Sequence, residues 1–260
     1  MVRSKATLSA VLMLVAASCG GTGGATSAPA DAAANLEGSI LISAASSLSD
    51  VFGALAKAFE ADNPLVDVVL NTGGSSVLRD QILEGAPVDV FAAASGATMS
   101  SVVGAGDVAV GPVDFATNRL AIAVPTGNPA GVTGLADFGR GDLVIGLCAE
   151  EVPCGAYASE ALALAGVDAI VDTYEPNVRA LLAKVAIGEL DAAVTYATDV
   201  ASAGRMAEGV VIPDAVNVVA TYPIAVLARA PNPTAANGFV DFVLSEAGRS
   251  ILDDYGFGPP

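Results

Sequence analysis

Strand-like runs alternate with helix-like stretches along this chain, and this alternation restricts the possible folds more than any other feature of the sequence. The run "SILIS" starts at residue 39. Apolar residues then follow at helical spacing: Leu48, Val51, Phe52, Leu55 and Phe59. The runs "VDVVLN" and "VDVFAAA" are each followed by a helical pattern, from about residues 76 and 97. Such alternation predicts an α/β fold with a parallel sheet and crossover helices.

A second series of the same kind predicts a second lobe. It opens at "NRLAIAVP" and continues through "DLVIGLC" and "DAAVTYA", with helices predicted at residues 155–165 and 178–187. The strand-like run "TYPIAVLA" and a predicted helix at residues 234–246 come last, and we assign both to the first lobe. The chain would then cross between the lobes twice and leave a cleft there. The predicted lobes are residues 39–117 with 222–260, and residues 118–221.

The N-terminal residues have the pattern of an export signal. Residues 1–18 carry Arg3 and Lys5 and then the apolar run "LSAVLMLVAAS", which is too short for a comfortable membrane span. The next residue is Cys19, and "AASC" resembles a bacterial lipobox, in which such a cysteine is lipidated and becomes the mature N-terminus. Residues 19–38 are mostly small and are predicted to form a flexible tether. The alternative is a cleaved protein without lipid; either way, the body is expected outside the cytoplasmic membrane.

Composition and charge exclude several classes of function. Of the 260 residues, 53% are hydrophobic, which is typical of a globular chain with a well-filled core. The chain contains no histidine, so a Ser-His-Asp or Cys-His nucleophile is impossible and most hydrolase mechanisms are excluded. Without the first 18 residues, nine basic and 28 acidic residues remain, a formal charge of −19. Such a charge repels nucleic acids and anionic lipid surfaces, so neither is an expected partner.

Two further cysteines, Cys148 and Cys154, enclose the segment "CAEEVPC". In an oxidising compartment, and with Cys19 assigned to lipid, this even pair favours a disulfide. A metal site is an alternative, although two sulfurs without any histidine make a poor set of ligands. The third possibility is a pair of reduced, buried thiols.

Four segments stand where predicted strands pass into predicted helices, and three of them contain hydroxyl residues. They are "AASSL" at 44–48, "NTGGSSVL" at 71–78, "VPCGAYASEAL" at 152–162 and "EPNVRALL" at 175–182. A fifth segment, "VTYATD", puts Tyr196 just after a strand. Ligands of open α/β sheets bind at such ends, where helix N-termini offer free N–H groups and a positive dipole end. Each serine could instead be a helix cap, and Tyr196 a packing residue with a satisfied hydroxyl.

In these motifs the chain resembles the molybdate-binding proteins of ABC-type molybdate importers. The resemblance covers nearly all of residues 39–258 and rests, in order, on "AASSL", "GGSSVLRDQI", "GAPVDVFAAA", "FATNRLAIAVP", "EVPCGAYASEAL", "NVRALLAKVAIGELDAAVTYATDV" and the closing "YGF". It implies a two-lobed solute-binding fold of the type II periplasmic binding protein class, with the ligand cleft between the lobes. The implied function is capture of molybdate, and of tungstate, and its delivery to the importer's permease without catalysis.

The resemblance also implies a set of uncharged ligands for the oxyanion. They are the hydroxyl and amide of Ser47, the hydroxyl and amide of Ser75, the amides of Cys154 and Val178, and the phenol of Tyr196. Molybdenum would be held as molybdate through these residues, with no cofactor, in a chain expected to act as a monomer. Charge-assisted bonds from such donors can compensate a desolvated dianion without a buried Arg or Lys. A protonated oxyanion would meet no acceptor.

Two other functions stay open from the sequence. One is binding of another tetrahedral oxyanion, sulfate or phosphate. The other is hydrolysis of a phosphate ester, which the missing histidine and the lack of a paired-carboxylate motif make the weaker interpretation. The basic candidates for a different oxyanion site are Arg79, Arg119 and Arg179. Arg79 and Arg179 each follow a proposed junction on a helix and are expected on solvated faces.

Overall fold

Strands and helices alternate along residues 36–260, the part of the chain that the computed structural model describes. The signal peptide predicted for residues 1–18, Cys19 and nearly all of the tether predicted for residues 19–38 lie outside this part. Its strands are β1 (Gly38–Ala45), β2 (Val66–Gly73), β3 (Val90–Ala92), β4 (Val113–Pro125), β5 (Ile145–Cys148), β6 (Thr173–Glu175), β7 (Ala192–Tyr196), β8 (Ala207–Val211) and β9 (Val219–Val226). Its helices are α1 (Ser49–Asp62), α2 (Ser75–Leu83), α3 (Gly96–Gly104), α4 (Pro153–Ala165), α5 (Val178–Ala186), α6 (Ala197–Ala203), α7 (Pro233–Leu244) and α8 (Glu246–Asp254). None of these helices combines the length and the apolar character that crossing a membrane requires.

The strands form one mixed sheet in the order β2, β1, β3, β9, β4, β7, β5 and β6, with β8 paired to β4. Strands β1, β2 and β3 run parallel, as do β5, β6 and β7, and we call these the first and second parallel groups. Between the groups, β9 and β4 pair antiparallel with each other and with their neighbours. The predicted parallel pairing is confirmed within each group, whereas β4 and β9 depart from it because each connects the groups directly, without a crossover helix.

The two parallel groups face each other end to end along β4. This strand pairs with β9 through Val113–Arg119 and with β7 through Leu120–Ala123. The carboxyl end of β3 lies level with Val113, whereas the carboxyl end of β7 lies opposite Leu120. Since β4 runs parallel to β3 and antiparallel to β7, the carboxyl ends of both groups point toward the same stretch of β4. The loops and helix N-termini that follow these strands are thereby brought together.

The predicted lobe boundaries fall within the two strands that connect the parallel groups. The change between residues 117 and 118 lies in β4, and the change between residues 221 and 222 lies in β9. Strand β4 exchanges β9 for β7 as its partner between Arg119 and Leu120. The division into two lobes stays a prediction, and a hinge between them would lie in these strands.

Helix α1 holds the first of the hydroxyl-rich junctions in place. The apolar residues that predict this helix are all buried: Leu48, Val51, Phe52, Leu55 and Phe59. The ring of Phe52 packs against Phe115 and Phe239, with centroids 5.8 and 6.1 Å away. This packing fixes the 3-10 turn Ser46–Leu48, which connects β1 to α1, at the carboxyl end of β1.

The last helix and two short strands are absent from the prediction. The helix expected at residues 234–246 is confirmed as α7, which ends at Leu244, and the unpredicted helix α8 follows Ser245. The backbone of Ser245 is extended, and its Oγ accepts a hydrogen bond from the Gly248 N–H, which starts a new helix. Strand β6 has only three residues and β8 is mostly exposed, so neither shows the apolar run of a buried strand in the sequence.

Candidate functional site

A small cavity lies where the carboxyl ends of the two parallel groups face each other. It is narrow: the centre of a water-sized sphere can occupy only about 10 Å3 of it. Its wall includes all five residues predicted as ligands: Ser47, Ser75, Cys154, Val178 and Tyr196. The other lining residues are Ala45, Ser46, Gly73, Gly74, Ala94, Val152, Pro153 and Asn177. The structure therefore brings the predicted residues together at one place, and their role as ligands stays a prediction.

Five helical segments begin at this cavity. Ser75 and Val178 are the first residues of α2 and α5, and Cys154 is the second residue of α4. Ser47 lies in the 3-10 turn before α1, and Tyr196 immediately precedes α6. Amide N–H groups in a first turn have no partner within their own helix, and the helix dipole makes this end positive. The cavity is therefore suited to an anion.

The hydroxyl groups of Ser47 and Ser75 are engaged outside their own helices. Ser75 Oγ accepts a hydrogen bond from the Ala94 N–H at 3.1 Å. Ser47 Oγ lies 3.0 Å from Tyr222 Oη. By contrast, Asn177 Oδ1 caps α5 in the ordinary way. The capping alternative therefore does not fit these two serines.

Tyr196 has a buried hydroxyl group that is left without a partner. The side chain is 1% exposed, and its Oη has no hydrogen-bond partner among the described residues. A buried, unpaired hydroxyl costs about 1–3 kcal/mol, so phenylalanine would serve better if the residue only packed. Burial, and next the neighbouring Tyr222, raises the pKa of Tyr196 well above its usual value, which keeps the phenol protonated. The hydroxyl is therefore available as a donor at the cavity wall.

Charged side chains lie away from this cavity; within the described part of the chain, none lines it. The three arginines considered from the sequence pair with carboxylates: Arg79 with Asp80, Arg119 with Asp214, and Arg179 with Asp50 and Asp199. A larger, open groove between α1, α6 and the end of α8 is bordered by Asp50, Lys57, Asp253 and Asp254, and contains none of the predicted ligands. Residues 36–260 include no group of three or more Cys, Asp or Glu side chains placed to hold a metal ion.

A disulfide bond joins the end of β5 to the first turn of α4. It links Cys148 to Cys154, whose Cα atoms are 5.7 Å apart. The chain turns back so tightly here that a Cβ atom on Gly155 would collide with the Ala149 carbonyl oxygen. Together, the crosslink and the turn restrict the direction of the Cys154 N–H, which is the group expected to contact a ligand.

Residues that follow the first parallel group touch residues that follow the second across the cavity. Gly74 lies so close to the other side that a Cβ atom on it would be 2.6 Å from the Pro176 carbonyl oxygen. Ser76 Oγ donates a hydrogen bond to the Glu151 carbonyl oxygen. The two groups are therefore closed onto each other around the cavity.

An ion-paired arginine makes a further connection between the groups. Arg179 Nη2 lies 2.5 Å from Asp50 Oδ2 on α1, and Arg179 Nε lies 3.3 Å from Asp199 Oδ1 on α6. Asp199 is completely buried, and its carboxylate oxygens have no hydrogen-bond partner among the described residues. Burial raises the pKa of Asp199 to about 7, although the positive charge of Arg179 opposes the increase. Asp199 therefore takes up a proton near neutral pH while the protein stays folded.

Asp199→Asn is expected to reduce the loss of stability that accompanies a rise in pH. The pKa is about 7 in the folded protein and has its usual value of 3.8 in an unfolded chain, so the folded state binds the proton more tightly. The resulting stabilisation is complete below about pH 4 and is lost as the pH rises through about 7. Between about pH 5 and about pH 8, the melting temperature of the variant should therefore fall less than that of the wild type.

The control for this measurement is Asp80→Asn, which removes an exposed carboxylate that pairs with another arginine, Arg79. Its melting temperature should follow the wild-type dependence on pH. Parallel curves for the wild type and Asp199→Asn would contradict the raised pKa.

Sequence reasoning missed three residues that support the predicted ligands. Asn177, which caps α5, has a recognisable signal, since Asn directly before a helical pattern is a common N-cap. Tyr222 and Ala94 have no such signal. Each lies in or just after a β-rich run and reaches its serine only through the tertiary structure.

The chain is similar in sequence to known solute-binding proteins. The family model for bacterial extracellular solute-binding proteins matches residues 40–258. A relative from Mycobacterium tuberculosis strain H37Rv, the molybdate-binding protein ModA, is 38% identical over 253 residues, which are 97% of this chain and 96% of the relative.

Two solved structures share the fold. The substrate-binding domain of a proposed molybdenum ABC transporter from Clostridium difficile is 26% identical with a TM-score of 0.65, over 85% of this chain and 99% of that one. The sulfate-binding protein SubI from Mycobacterium tuberculosis is 19% identical with a TM-score of 0.76, over 85% of this chain and 86% of that one, and shows the fold alone. These matches confirm the predicted α/β solute-binding fold class.

Proposed function

Because this chain belongs to the bacterial extracellular solute-binding protein family, we propose that it binds molybdate outside the cytoplasmic membrane and delivers it to an ABC importer without catalysing a reaction. The relative from Mycobacterium tuberculosis is named for molybdate, and the structure from Clostridium difficile for a molybdenum transporter. One observation carries the proposal: neutral hydrogen-bond donors at helix N-termini surround the cavity, together with the unpaired hydroxyl of Tyr196.

Molybdate is a tetrahedral dianion, and all of its oxygens accept hydrogen bonds. The proposed donors are the hydroxyls of Ser47, Ser75 and Tyr196 and the amides of Ser47, Ser75, Cys154 and Val178. Charge-assisted bonds from several helix ends can offset the cost of desolvating the dianion. A protonated oxyanion also has an O–H group that needs a hydrogen-bond acceptor, and these donors do not provide one.

Tungstate should bind as molybdate does, because both are tetrahedral dianions of nearly equal size. Sulfate is smaller, so donors fixed at helix ends cannot all approach it closely. Phosphate carries a proton at neutral pH and needs an acceptor. The fold alone does not distinguish these anions, since the sulfate-binding protein SubI shares it.

Calorimetric titration of the purified protein with molybdate, tungstate, sulfate and phosphate tests the proposal. We expect molybdate and tungstate to saturate the protein at micromolar levels, and sulfate and phosphate to act only far above them. The melting temperature should rise in the same order, because a ligand that binds only the folded state stabilises it. Equal responses to all four anions would indicate a nonspecific salt effect and contradict the proposal. Turnover of a phosphate ester would favour the hydrolase alternative.

We also propose that the protein is a monomer anchored by lipid on Cys19 to the outer face of the cell membrane. The support is the sequence: the signal-like residues 1–18, the "AASC" segment and the small-residue tether. Cys19→Ala should move the protein from the membrane fraction to the soluble fraction in cell fractionation. Retention of this variant in the membrane would contradict the anchor.

Ser47→Ala and Ser75→Ala should each weaken molybdate binding by about tenfold to a hundredfold. Each removes one charge-assisted donor from a desolvated dianion, worth roughly 1.5–3 kcal/mol. Tyr196→Phe should act likewise from the second parallel group, because it removes the unpaired phenol hydroxyl. Dissociation constants from calorimetry measure the effect, with melting curves as the stability control.

Ser49→Ala is the matched control for these variants. The Ser49 hydroxyl donates to the Ser46 carbonyl oxygen at 2.7 Å and does not line the cavity, so affinity should stay unchanged. Unchanged affinity in Ser47→Ala and Ser75→Ala would show that the cavity is not the binding site.

Gly74→Ala should weaken molybdate binding by about tenfold or more, because the added methyl group holds the two parallel groups apart. The φ and ψ angles of Gly74, −62° and 130°, suit alanine, so the backbone itself is not strained. The methyl group, however, would lie 2.6 Å from the Pro176 carbonyl oxygen. Calorimetric titration measures the affinity.

Gly96→Ala provides the control for adding a methyl group away from the cavity. A Cβ atom on Gly96, at the start of α3, would meet nothing within 4 Å, and Gly96 does not line the cavity, so affinity should change by less than about twofold. Similar affinities for the two alanine variants would rule out a role for the close approach at Gly74.

A further inference from the structure

Tyr222 lies beside the proposed site and touches a predicted ligand from each parallel group. It stands on β9, opposite Ala116 of β4, and is completely buried. Its Oη is 3.0 Å from Ser47 Oγ. Its ring packs edge-on against Tyr196, with centroids 6.0 Å apart and ring planes inclined at 65°. Tyr222 does not itself line the cavity, so it can act on a ligand only through these two neighbours.

The hydrogen bond between Tyr222 and Ser47 can run in either direction, and its chemistry favours the tyrosine as donor. A phenol O–H is more acidic than an alcohol O–H, and the phenol oxygen is the poorer acceptor because its lone pairs are delocalised into the ring. Burial raises the pKa of Tyr222 far above its usual value, so the proton stays on the phenol. Ser47 Oγ then accepts from Tyr222 and keeps its own proton for another partner.

On the basis of the function proposed above, we propose that Tyr222 is a positioning residue that makes Ser47 a hydrogen-bond donor toward the oxyanion and holds the Tyr196 ring in place. A serine hydroxyl that faces a ligand alone can rotate, and it can either donate or accept. Once the Ser47 oxygen accepts from Tyr222, its own proton is left for the cavity. The chain from Tyr222 through Ser47 to the oxyanion also strengthens each bond, because successive hydrogen bonds polarise one another.

The second serine at the cavity has an equivalent arrangement. Ser75 Oγ accepts from the Ala94 N–H at 3.1 Å, and a backbone N–H can only donate. Both serines therefore have an engaged oxygen and a free proton. The orienting donor is a backbone group at Ser75 and a side chain at Ser47, so only the donor to Ser47 can be removed by substitution.

The test is a double-mutant cycle of Tyr222→Phe and Ser47→Ala, read by calorimetric titration with molybdate. Tyr222→Phe removes the hydroxyl and keeps the ring, and melting curves check that the variant is folded. It should weaken binding by about threefold to tenfold in the wild-type background, the range for one neutral hydrogen bond. In the Ser47→Ala background it should change affinity by less than about twofold, because the group that it orients is gone. Tyr255→Phe, which removes an exposed hydroxyl away from the cavity, should change nothing.

The outcomes separate this inference from the proposed function. If the wild type binds molybdate, no loss from Tyr222→Phe, or equal losses in the two backgrounds, would overturn the positioning role alone. If Tyr222 only packed in the core, Tyr222→Phe would cause equal losses of affinity in the two backgrounds and a lower melting temperature. If the wild type does not bind molybdate, the proposed function and the positioning role both fail.

Discussion

The candidate site depends on one geometric constraint, the end-to-end opposition of two groups of parallel strands along β4. A strand that leads into a helix delivers the helix N-terminus to its carboxyl end, so opposed carboxyl ends collect several positive helix ends around one point. Groups that ran side by side in one direction would place those helix ends in a row along one edge of the sheet. The antiparallel pair β4 and β9 reverses the direction of the second group and so allows the helix ends to surround a ligand.

The chemistry of the cavity follows from this convergence. Backbone N–H groups and hydroxyls supply the donors, and Arg79, Arg119 and Arg179 are paired with carboxylates elsewhere. Such donors are held by the fold, so their directions cannot easily adapt to an anion of another size or protonation state. Tyr196 illustrates the cost of this rigidity, because its hydroxyl is buried and finds no hydrogen-bond partner within residues 36–260. A binding protein can carry such a group when the ligand completes its hydrogen bonding.

Much of the fold could be predicted from local patterns, whereas the sheet pairing could not. The buried face of α1 follows from five apolar residues at helical spacing. The antiparallel direction of β4 and β9 does not follow from the sequence, because an apolar run does not indicate the direction of the strand that pairs with it. In the site, polar side chains mark some of the junctions in the sequence, namely the hydroxyls of Ser47, Ser75 and Tyr196. Cys154 and Val178 were predicted from a family resemblance, since each is expected to contribute an amide that its side chain does not reveal.

The sequence by itself determined the α/β class, the lack of a histidine nucleophile, the acidic charge and the positions of the hydroxyl-rich junctions, because these depend on residue type and local spacing. Only the tertiary structure decided which junctions meet and what orients their donors. Tyr222 lies 175 residues from the serine that it contacts, and Gly74 lies against Pro176. Contacts over such separations are set by strand register and by the direction of β4 and β9, and no local pattern of residues encodes either.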